Sequence, residues 1–526
     1  MTATTKSPGG ICQFAAFLVV AAAVAALFRL AAPNISDPDS FYHFRHASVY
    51  AEKGLGYAPF PWLAYSVVSR FSADIGYGFH VLLIPFTWAR DGIQGIKLAT
   101  IFETLAVLAL MYLVMWRHRI AYAGAWPFVL FFVGPPLTYT FLMARPQTLT
   151  MGFCALLLSF MVSGPAWGVL VASFAICFFH LNAFVTVPVV VVAAIVAKGW
   201  SGRAWEWRKW VAALSGMALG VGLRPNPLGA VKLEYVQFVV HEMVRRKGIP
   251  LLFGREWAPV SLGDTATLFT WFLLVWVGMM ALFLVAALAR SETGSSEDRT
   301  LLWSSLVLSV LFFVVMVHST KRATPLWATF AVIFVAKAFS QFLHGGVGEK
   351  SKLLKTETRL VVTWLVVVAL LVMTGEVVGQ HLIREQWAGQ SSYRLSGAAQ
   401  WLDANAQPGR IVYNVNWDMF PELFFWDTDN RYASGLDPIF LYAYDEARYW
   451  KAHHLQTGEA TKRTWGTMDR AGAKMEDVYT VVKRDFAASY LVLESRRNSE
   501  LEDYLDSDPR FERARDDGET VVYIVK

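Results

Sequence analysis

The chain has 526 residues, of which 55% are hydrophobic and only 17% are charged. This composition excludes an ordinary soluble protein, in which about 25% of residues are charged. The net charge of +6 does not indicate nucleic-acid binding, because much of the basic charge falls in short loops between apolar runs. Cys12, Cys154 and Cys177 all lie in such runs, so the polar C-terminal part has no disulfide framework.

Apolar runs of about 20 residues, each long enough to cross about 30 Å of hydrocarbon, recur along the chain as far as residue 380. They predict a polytopic α-helical membrane protein with about 11 spans, the first of which we expect to be retained rather than cleaved. The expected spans are 11–32, 94–116, 120–141, 147–163, 166–180, 183–198, 209–223, 265–289, 301–317, 323–342 and 359–379. The shorter apolar segment 78–89 predicts a re-entrant or interfacial helix.

The distribution of basic residues predicts the orientation of these spans. With the N-terminus inside, the basic loops 117–119, 198–209, 290–299 and 344–359 all fall inside, as the positive-inside rule requires. The long loops 33–92 and 224–263 then lie on the outer face.

After about residue 380 the composition predicts a small α/β domain. Strand-length runs at 410–415, 489–494 and 520–526 accompany a helix-like stretch at 396–405. No glycine-rich dinucleotide fingerprint is present in this part of the sequence. We therefore expect a transmembrane domain at 1–379 and an outer-face domain at 380–526.

Reactive side chains collect in the loops that are expected on the outer face. Asp37, Asp39, His43 and Arg45 follow the first span directly. A carboxylate at the hydrocarbon boundary costs free energy unless a cation or water compensates its charge. The later outer loops add Arg145, His180, Glu256, Lys321 and Arg322. This pattern predicts a site that faces water at the membrane surface.

The first loop resembles the membrane glycosyltransferases of the C-type fold, which use polyprenyl-phosphate-linked sugars. Asp39-Ser-Phe-Tyr-His-Phe-Arg45 is similar to the Asp-x-Tyr-Tyr-His-Leu-Arg stretch of archaeal oligosaccharyltransferase catalytic subunits. A bacterial family with the same architecture matches more closely, since its motifs occur in the same order. They correspond here to 37–43, 144–147, His180, 226–229, 256–259, 321–325 and 414–417.

The resemblance implies a glycosyltransferase of the bacterial inner membrane, with a cytoplasmic N-terminus and a periplasmic C-terminal domain. It would move a sugar or oligosaccharide from a polyprenyl-phosphate carrier to a glycan, lipid or protein acceptor. Such a transfer needs a carboxylate to deprotonate or polarise the acceptor, and cations or a metal to stabilise the leaving phosphate.

Asp39 is the first candidate for the catalytic base or metal ligand, and Asp37 is the second. Glu256 would assist, because its position resembles that of the glutamate that helps to position acceptor and metal in oligosaccharyltransferases. A divalent metal, Mg²⁺ or Mn²⁺, is the candidate cofactor. Where oligosaccharyltransferases carry a second acidic motif, this chain has Arg145-Pro-Gln147, which argues against a carboxylate-bound metal.

Arg322 and Lys321 are the first candidates for binding the lipid phosphate. Arginine binds phosphate through a bidentate fork, and both residues stand at the outer end of a span, against the positive-inside bias. Further candidates for binding phosphate or substrate are Arg145, His43, Arg45 and His180. Trp417 and Asp418 are candidates for the acceptor pocket.

Structural interpretations of the same residues stay open. Asp37 or Asp39 suits the N-cap of a helix in the first loop. Glu256 could pair with Arg255 at the surface, and Lys321 and Arg322 could reach lipid headgroups. Arg145, like Lys321 and Arg322, could reach lipid headgroups. The remaining alternatives are a polar helix end for His180, a place in the domain core for Trp417, and a turn for Asp418.

Three other functions also stay open. The first is an oligosaccharyltransferase that acts on protein. The second is a lipid-glycan transporter or flippase, for which Glu103 in the second expected span would be an intramembrane charge. The third is an inactive scaffold whose outer domain binds partners.

Overall fold

The computed structural model describes residues 8–35, 37–288, 294–343, 356–387 and 391–526. The chain divides into two compact units, each made of three segments. The helical unit comprises Met1–Pro33, Lys97–Gly222 and Arg255–Gly389, and the mixed unit comprises Asn34–Ile96, Leu223–Gly254 and Gln390–Lys526. The first loop (residues 34–96) and residues 223–254 thus group with the polar C-terminal part and not with the helices that flank them.

The helical unit consists of long apolar helices with short connections. Its α-helices are Pro8–Ala31, Gly92–Arg117 (which begins in the mixed unit), Trp126–Phe131, Pro135–Phe141, Pro146–Ser163, Ala166–Phe179, Thr186–Trp200, Trp207–Gly222, Leu262–Leu268, Thr270–Leu288, Ser296–His318, Thr324–Leu343 and Thr356–Trp387. Short 3₁₀ helices lie at Leu181–Ala183, Arg255–Trp257 and Lys321–Ala323.

Eight helices in the described residues are long and apolar enough to cross a membrane. The predicted polytopic α-helical architecture is therefore confirmed, and the count of about 11 spans stays a prediction. Two of the other expected spans form shorter helices, Ala166–Phe179 with 14 residues and Trp207–Gly222 with 16 residues.

The single helix expected over 120–141 is wrong. Two short helices, Trp126–Phe131 and Pro135–Phe141, take its place on either side of Gly134. Proline lacks the N–H that a continuing helix needs, and it favours the first helical position, where that N–H has no intrahelical partner. Pro135 therefore begins a new helix rather than continuing the previous one.

Two glycines allow the Trp207–Gly222 helix to pack closely on the Ala166–Phe179 helix. A Cβ atom added at Gly216 would overlap the carbonyl oxygen of Leu170. One added at Gly220 would lie 2.8 Å from the carbonyl oxygen of Phe174. Small residues four apart commonly allow the backbones of membrane helices to approach each other. This contact thus depends on the absence of side chains at both positions.

The mixed unit contains short helices and seven strands. Its α-helices are Pro38–Lys53, Val67–Phe71, Tyr77–Leu83, Pro227–Tyr235, His241–Arg246, Ser396–Asn405, Phe420–Trp426, Pro438–Tyr442, Glu446–Thr457, Val478–Thr480 and Ser499–Ser507. 3₁₀ helices lie at Ile84–Trp88 and Trp417–Met419, and π-helical turns at Val236–Val240 and Val481–Asp485. The strands are β1 (Ile411–Asn414), β2 (Arg431–Tyr432), β3 (Arg463–Thr464), β4 (Glu476–Asp477), β5 (Ala488–Glu494), β6 (Phe511–Asp516) and β7 (Thr520–Val525).

Five of these strands form one mixed sheet in the order β2-β1-β5-β7-β6. Strand β1 pairs in parallel with β2 and β5, whereas β7 pairs antiparallel with β5 and β6. The three strands expected from the sequence correspond to β1, β5 and β7, and the expected helix at 396–405 is observed as Ser396–Asn405. The predicted combination of helices and strands in the C-terminal part is therefore confirmed, and the expected domain bounds stay a prediction.

The first loop is hydrogen-bonded to the edge of this sheet. The Tyr432 N–H donates to the carbonyl oxygen of Trp62 at 2.7 Å, and the Ala64 N–H donates to the Tyr432 carbonyl oxygen at 2.8 Å. These bonds satisfy backbone groups at the edge of β2, which would otherwise need another partner. They also fix the loop that carries Asp37 to His46 within the mixed unit.

Parts of two basic loops used to predict the orientation, residues 290–293 and 344–355, fall outside the described residues. The expected orientation of the spans stays a prediction.

We expect Gly216→Leu to weaken the packing of the two shorter helices, because overpacking a close contact costs about 1–3 kcal/mol. Thermal unfolding of the detergent-solubilised protein should show a lower midpoint for this variant. Gly222→Leu is the matched control, since a Cβ atom there meets none of the described residues within 4 Å. Equal midpoints for the two variants would contradict this account of the contact.

Candidate functional site

The first-loop helix begins at the residues that the sequence singled out. The Asp37 side chain caps Pro38–Lys53, since its Oδ2 accepts the Ser40 N–H at 3.1 Å and the Ser40 hydroxyl at 2.8 Å. Pro38 takes the first helical position, where its missing N–H costs nothing. The capping interpretation is therefore confirmed for Asp37, which is buried. Its assignment as the second catalytic carboxylate stays a prediction.

Asp39 lies in the first turn of the same helix and is half-buried. A carboxylate at this position is stabilised by the positive end of the helix dipole. Residues four apart share one face of a helix, so His43 follows Asp39 on the same face. Burial, together with the charges of Asp74 and Asp39, raises the pKa of Tyr42 well above its ordinary value. The Tyr42 hydroxyl therefore stays protonated beside the two carboxylates.

A chain of hydrogen bonds connects His43 to a buried carboxylate. Nδ1 of His43 lies 2.7 Å from Nε2 of His80, and Nδ1 of His80 lies 2.6 Å from Oδ2 of Asp74. His80 and Asp74 are buried, whereas His43 is half-buried. The chain thus runs from the interior of the mixed unit towards its surface.

Several donors hold Asp74 in place. Tyr50 donates its hydroxyl to Oδ2 at 2.9 Å, and the Gly76 N–H donates to Oδ1 at 2.8 Å. Arg224 donates to the Asp74 backbone carbonyl at 2.8 Å. Burial would raise the pKa of Asp74, but His80 and His46 lower it well below its usual range. Asp74 is therefore an anion at neutral pH.

His46 covers one side of this chain. Its ring stacks on that of His80 with centroids 4.3 Å apart, and its Nδ1 lies 3.1 Å from the Tyr42 hydroxyl. Burial, which outweighs the effect of Asp74, lowers the pKa of His46 to about 3. His46 is therefore neutral at physiological pH.

Sequence analysis missed His80, and it did not identify Asp74 or His46 as site residues. His80 lies inside the apolar segment 78–89, which forms the short helices Tyr77–Leu83 and Ile84–Trp88. One feature of the sequence could have pointed to these residues: His80 is a histidine in an otherwise apolar segment, and it follows Asp74 by six residues.

His46, Asp74 and His80 are one of two groups in the described residues whose side chains could hold a metal ion. Their present arrangement does not fit one. A tetrahedral zinc ion at about 2.1 Å from each ligand would separate two ligand atoms by about 3.4 Å. The Asp74–His80 pair is much closer, at 2.6 Å, and is a hydrogen bond. Asp39 belongs to neither of the two groups, so a divalent metal at Asp39 stays a prediction.

Arg45 makes contacts within the mixed unit. Its Nη2 donates to the Thr428 hydroxyl at 2.8 Å, and its Nη1 lies 3.6 Å from Glu52. The contact with Thr428 connects the first-loop helix to the C-terminal part of the chain, whereas Glu52 lies in the same helix as Arg45. Phosphate binding by Arg45 stays a prediction.

Trp417 and Asp418 begin a short 3₁₀ helix, Trp417–Met419, after strand β1. Both are half-buried, so Trp417 is not a fully buried core residue. Asp418 pairs with Arg497 at 3.0 Å. Their roles in an acceptor pocket stay predictions.

In the helical unit, Glu256 brings together two of the arginines that the sequence singled out. Its Oε1 accepts from Nη2 of Arg322 at 2.6 Å, and its Oε2 lies 3.5 Å from Nη1 of Arg145. The Arg322 guanidinium also stacks on the ring of Trp257, 3.8 Å from the ring centre. We call Arg145, Glu256, Trp257 and Arg322 the arginine cluster.

The two arginines change the pKa of the Glu256 carboxyl group. Burial would raise this pKa, but Arg145 and Arg322 lower it to about 2. The carboxylate is therefore ionised at every physiological pH. The Arg255 side chain, the expected surface partner of Glu256, lies outside the described residues.

Local structure fixes the segments that carry the cluster. Arg145 immediately precedes the Pro146–Ser163 helix, and Arg322 lies in the 3₁₀ helix Lys321–Ala323. Thr320 donates its hydroxyl to the Glu256 carbonyl oxygen at 2.8 Å, and the Lys321 N–H donates to the Ala258 carbonyl oxygen at 2.8 Å. The Lys321 side chain is exposed.

His180 and Glu103 also lie in the helical unit. His180 follows the Ala166–Phe179 helix, and its Nδ1 lies 2.9 Å from the Thr150 hydroxyl. This contact agrees with the polar helix end that was the alternative for His180, and its role in substrate binding stays a prediction. Glu103 is fully buried in the Gly92–Arg117 helix.

The lowered pKa of His46 predicts a loss of stability in acid. Between pH 6.5 and pH 3 the folded state binds fewer protons than the unfolded state, so the free energy of unfolding decreases as the pH drops. Above pH 6.5 His46 causes no such decrease. The slope is at most about 1.4 kcal/mol per pH unit. Thermal unfolding between pH 7.5 and 5 should show a smaller decline for His46→Gln than for wild type. The control is His318→Gln, which changes an exposed histidine. A decline as steep in His46→Gln as in wild type would contradict the lowered pKa of His46.

The chain matches no protein-family model and no curated protein sequence. It is similar in structure to the arabinofuranosyltransferase AftD from Mycobacteria, with a TM-score of 0.55 and 15% identity over 97% of this chain and 40% of AftD. It thus spans less than half the length of AftD.

A second similar structure is ArnT from Cupriavidus metallidurans bound to undecaprenyl phosphate. The TM-score is 0.56 and the identity 13%, over 99% of both chains. ArnT in the apo state gives a TM-score of 0.54 with 12% identity. AftD and ArnT are membrane glycosyltransferases of the C-type fold. This chain therefore has the C-type glycosyltransferase fold.

Proposed function

We propose that the protein transfers a sugar from a polyprenyl-phosphate-linked donor to an acceptor on the periplasmic face of the bacterial inner membrane. The observation that carries the proposal is the arginine cluster in a chain of this fold. Glu256 contacts both guanidiniums, so it brings two cationic side chains to one place. A similar structure, that of ArnT, contains undecaprenyl phosphate. The proposed face follows from the distribution of basic loops.

In this proposal Arg145 and Arg322 bind the phosphate of the donor. Arginine is suited to this task because its planar fork matches two phosphate oxygens. Glu256 and Trp257 hold the Arg322 guanidinium on two sides, which reduces the conformational freedom lost on binding. As the bond from sugar to phosphate breaks, negative charge grows on the phosphate, and positioned cations stabilise that charge. Lys321 adds a more mobile positive charge beside Arg322.

Asp39 activates the acceptor in this proposal. The positive end of the helix dipole stabilises a carboxylate in the first turn, and such a carboxylate can accept a hydrogen bond from an acceptor hydroxyl and increase its nucleophilicity. The acceptor classes that the sequence indicated, glycan, lipid and protein, all remain to be tested. A divalent metal at Asp39 also remains to be tested.

Removing either arginine of the cluster should weaken binding of undecaprenyl phosphate. A charge-assisted hydrogen bond contributes about 1.5–3 kcal/mol, so we expect Arg322→Gln and Arg145→Gln to raise Kd by about 10- to 100-fold. Titration of the purified protein with undecaprenyl phosphate, followed by tryptophan fluorescence, measures the change. The control is Arg246→Gln, whose exposed side chain pairs with Glu242. Unchanged Kd in both cluster variants would contradict the proposed phosphate site.

Asp39→Asn should lower the turnover number by about 100-fold or more while undecaprenyl phosphate still binds, because acid–base groups contribute about 10²–10⁴-fold. The assay follows labelled sugars from a panel of undecaprenyl-phosphate donors to cell-envelope extracts, with and without chelator. Asp91→Asn in the same loop is the control. Wild-type turnover in Asp39→Asn would contradict the role of Asp39. Loss of wild-type activity with chelator would show that a metal is required, and unchanged activity would show that it is not. Wild type that binds undecaprenyl phosphate but transfers no sugar would favour the transporter or scaffold alternative.

A further inference from the structure

The mixed unit contains a cavity that the proposed function does not use. Its volume is about 380 Å³, near the lower end of the range of about 300–1,000 Å³ that is typical of small-molecule sites. Apolar side chains line one part of it, those of Pro59, Phe60 and Pro61, and two arginines line another part, Arg70 and Arg431. A cavity of this size can hold one small group, and not a folded partner.

The two arginines reach the cavity from different segments, and a contact holds each of them. Arg70 lies in the Val67–Phe71 helix, and its guanidinium is 4.2 Å from the centre of the Tyr444 ring. Arg431 lies in β2 and donates its Nε–H to the carbonyl oxygen of Pro61 at 3.1 Å. A guanidinium carries five N–H donors. The described residues accept from only one of those of Arg431, so the others are available to a ligand.

The positive charges of Arg70 and Arg431 are not neutralised by ion pairs. Among the residues that the structure describes, neither arginine pairs with an aspartate or glutamate. Other arginines of the mixed unit do form such pairs, as Arg448 does with Asp445 at 2.6 Å. Arg70 is exposed and Arg431 is half-buried, so a solute can reach both. Two such charges at one cavity favour an anion, and guanidiniums match the oxygens of a carboxylate or phosphate.

Two serines give the cavity acceptors for hydroxyl groups. Ser69 and Ser72 both line it. Ser69 donates its hydroxyl to the Ser66 carbonyl oxygen at 2.8 Å, and Ser72 donates to the Ser69 carbonyl oxygen at 3.2 Å. Because both protons are used in this way, each serine oxygen can accept a hydrogen bond from a ligand. A sugar ring offers hydroxyl groups at its edge and an apolar C–H face, and Phe60 and the prolines offer apolar surface to such a face.

Hydrogen bonds fix the wall that carries Arg70. Nδ2 of Asn226 donates to the carbonyl oxygens of Phe71 at 2.8 Å and Ser72 at 3.1 Å. Oδ1 of Asn226 accepts the Gly229 N–H at 2.9 Å. The wall is thus in place before a ligand binds, which reduces the conformational freedom lost on binding.

The cavity adjoins the helix that carries Asp39. The ring of Phe60, which lines the cavity, is 5.2 Å from the ring of His46 and 6.0 Å from that of Tyr42, measured between ring centres. Both residues belong to the Pro38–Lys53 helix, in which Asp39 occupies the first turn. The cavity and the proposed acceptor-activating carboxylate therefore belong to one packed part of the mixed unit.

We infer that this cavity binds an anionic sugar of the acceptor, so that the acceptor is a glycan that carries carboxylate or phosphate groups. This inference rests on the proposed function and selects one of its three acceptor classes. Arg70 and Arg431 bind the anionic group. Ser69 and Ser72 accept hydrogen bonds from the ring hydroxyls, and the apolar residues contact the C–H face of the ring.

The first test measures the binding of three sugars to the full-length protein in detergent: galacturonate, galactose 1-phosphate and neutral galactose. Saturation-transfer difference NMR gives the dissociation constants. We expect at least one anionic sugar to bind wild type about 10-fold or more tightly than galactose does, because charge-assisted hydrogen bonds to arginine stabilise only the charged ligand. Arg70→Gln and Arg431→Gln should each lose most of this difference.

The control is Arg496→Gln, which removes an exposed arginine of the same unit that does not line the cavity. It should bind all three sugars as wild type does. Thermal unfolding midpoints equal to that of wild type in the cavity variants show that a loss of binding is not a loss of fold. Tighter binding of galacturonate would support a carboxylate as the anionic group, and tighter binding of galactose 1-phosphate would support a phosphate.

Three results would overturn the inference. The first is equal affinity of wild type for galactose and both anionic sugars. The second is unchanged affinity for the anionic sugars in both cavity variants. The third is tighter binding of a triaspartate peptide or of glycerol 3-phosphate than of either anionic sugar, because it would indicate an acidic protein segment or a lipid headgroup as the ligand.

The transfer assay separates this inference from the proposed function. With an anionic glycan as acceptor, Arg70→Gln and Arg431→Gln should raise the acceptor KM by about 10-fold and leave kcat within about threefold of wild type, because they remove binding and not chemistry. An unchanged acceptor KM in both variants would overturn the acceptor role of the cavity. Wild type that transfers no sugar from any donor would instead overturn the proposed function, and the NMR titrations would still identify the ligand of the cavity.

Discussion

The ion pairs of Glu256 with Arg145 and Arg322 are the interaction on which the proposed site depends. Two half-buried guanidiniums repel each other and lose part of their hydration. Both effects cost free energy, and an anion between the two groups offsets that cost. Glu256 supplies that anion, and the charges of Arg145 and Arg322 lower its pKa. The carboxylate is thus better explained as the group that positions both arginines than as a base, because its proton affinity is too low to deprotonate a hydroxyl efficiently.

A similar constraint acts on the first-loop helix. Asp74 is buried and ionised, which is tolerated only because donors surround it: the imidazole of His80, the phenol of Tyr50 and the backbone N–H of Gly76. The same hydrogen bonds hold the ring of His80, which in turn contacts His43 on the first-loop helix.

Much of the fold could be predicted from local sequence. Apolar runs of span length and the strand-length runs near the C-terminus depend on neighbouring residues alone, so most were placed within a few residues. The expected helix at 120–141 was wrong because the run is apolar almost throughout, which concealed the effect of Gly134 and the two prolines that follow it. Asp37-Pro38 carried a readable capping signal, and the structure confirms it.

The candidate site could be predicted only in part, because its contacts join distant segments. Sequence analysis named Arg145, Glu256 and Arg322 separately, and nothing in their spacing showed that one carboxylate bridges both arginines. It missed His80 because a histidine inside an apolar segment carries little information until its partner Asp74 is known. Grouping of the first loop with the C-terminal sheet also depends on pairing between residues far apart in the chain.

A cryo-EM structure of the protein with undecaprenyl phosphate tests the central claim most directly. Our account predicts phosphate density at about 3 Å from the guanidiniums of both Arg145 and Arg322, with Glu256 still in contact with at least one of them. Phosphate density that touches neither arginine would contradict the assignment of the arginine cluster as the donor phosphate site.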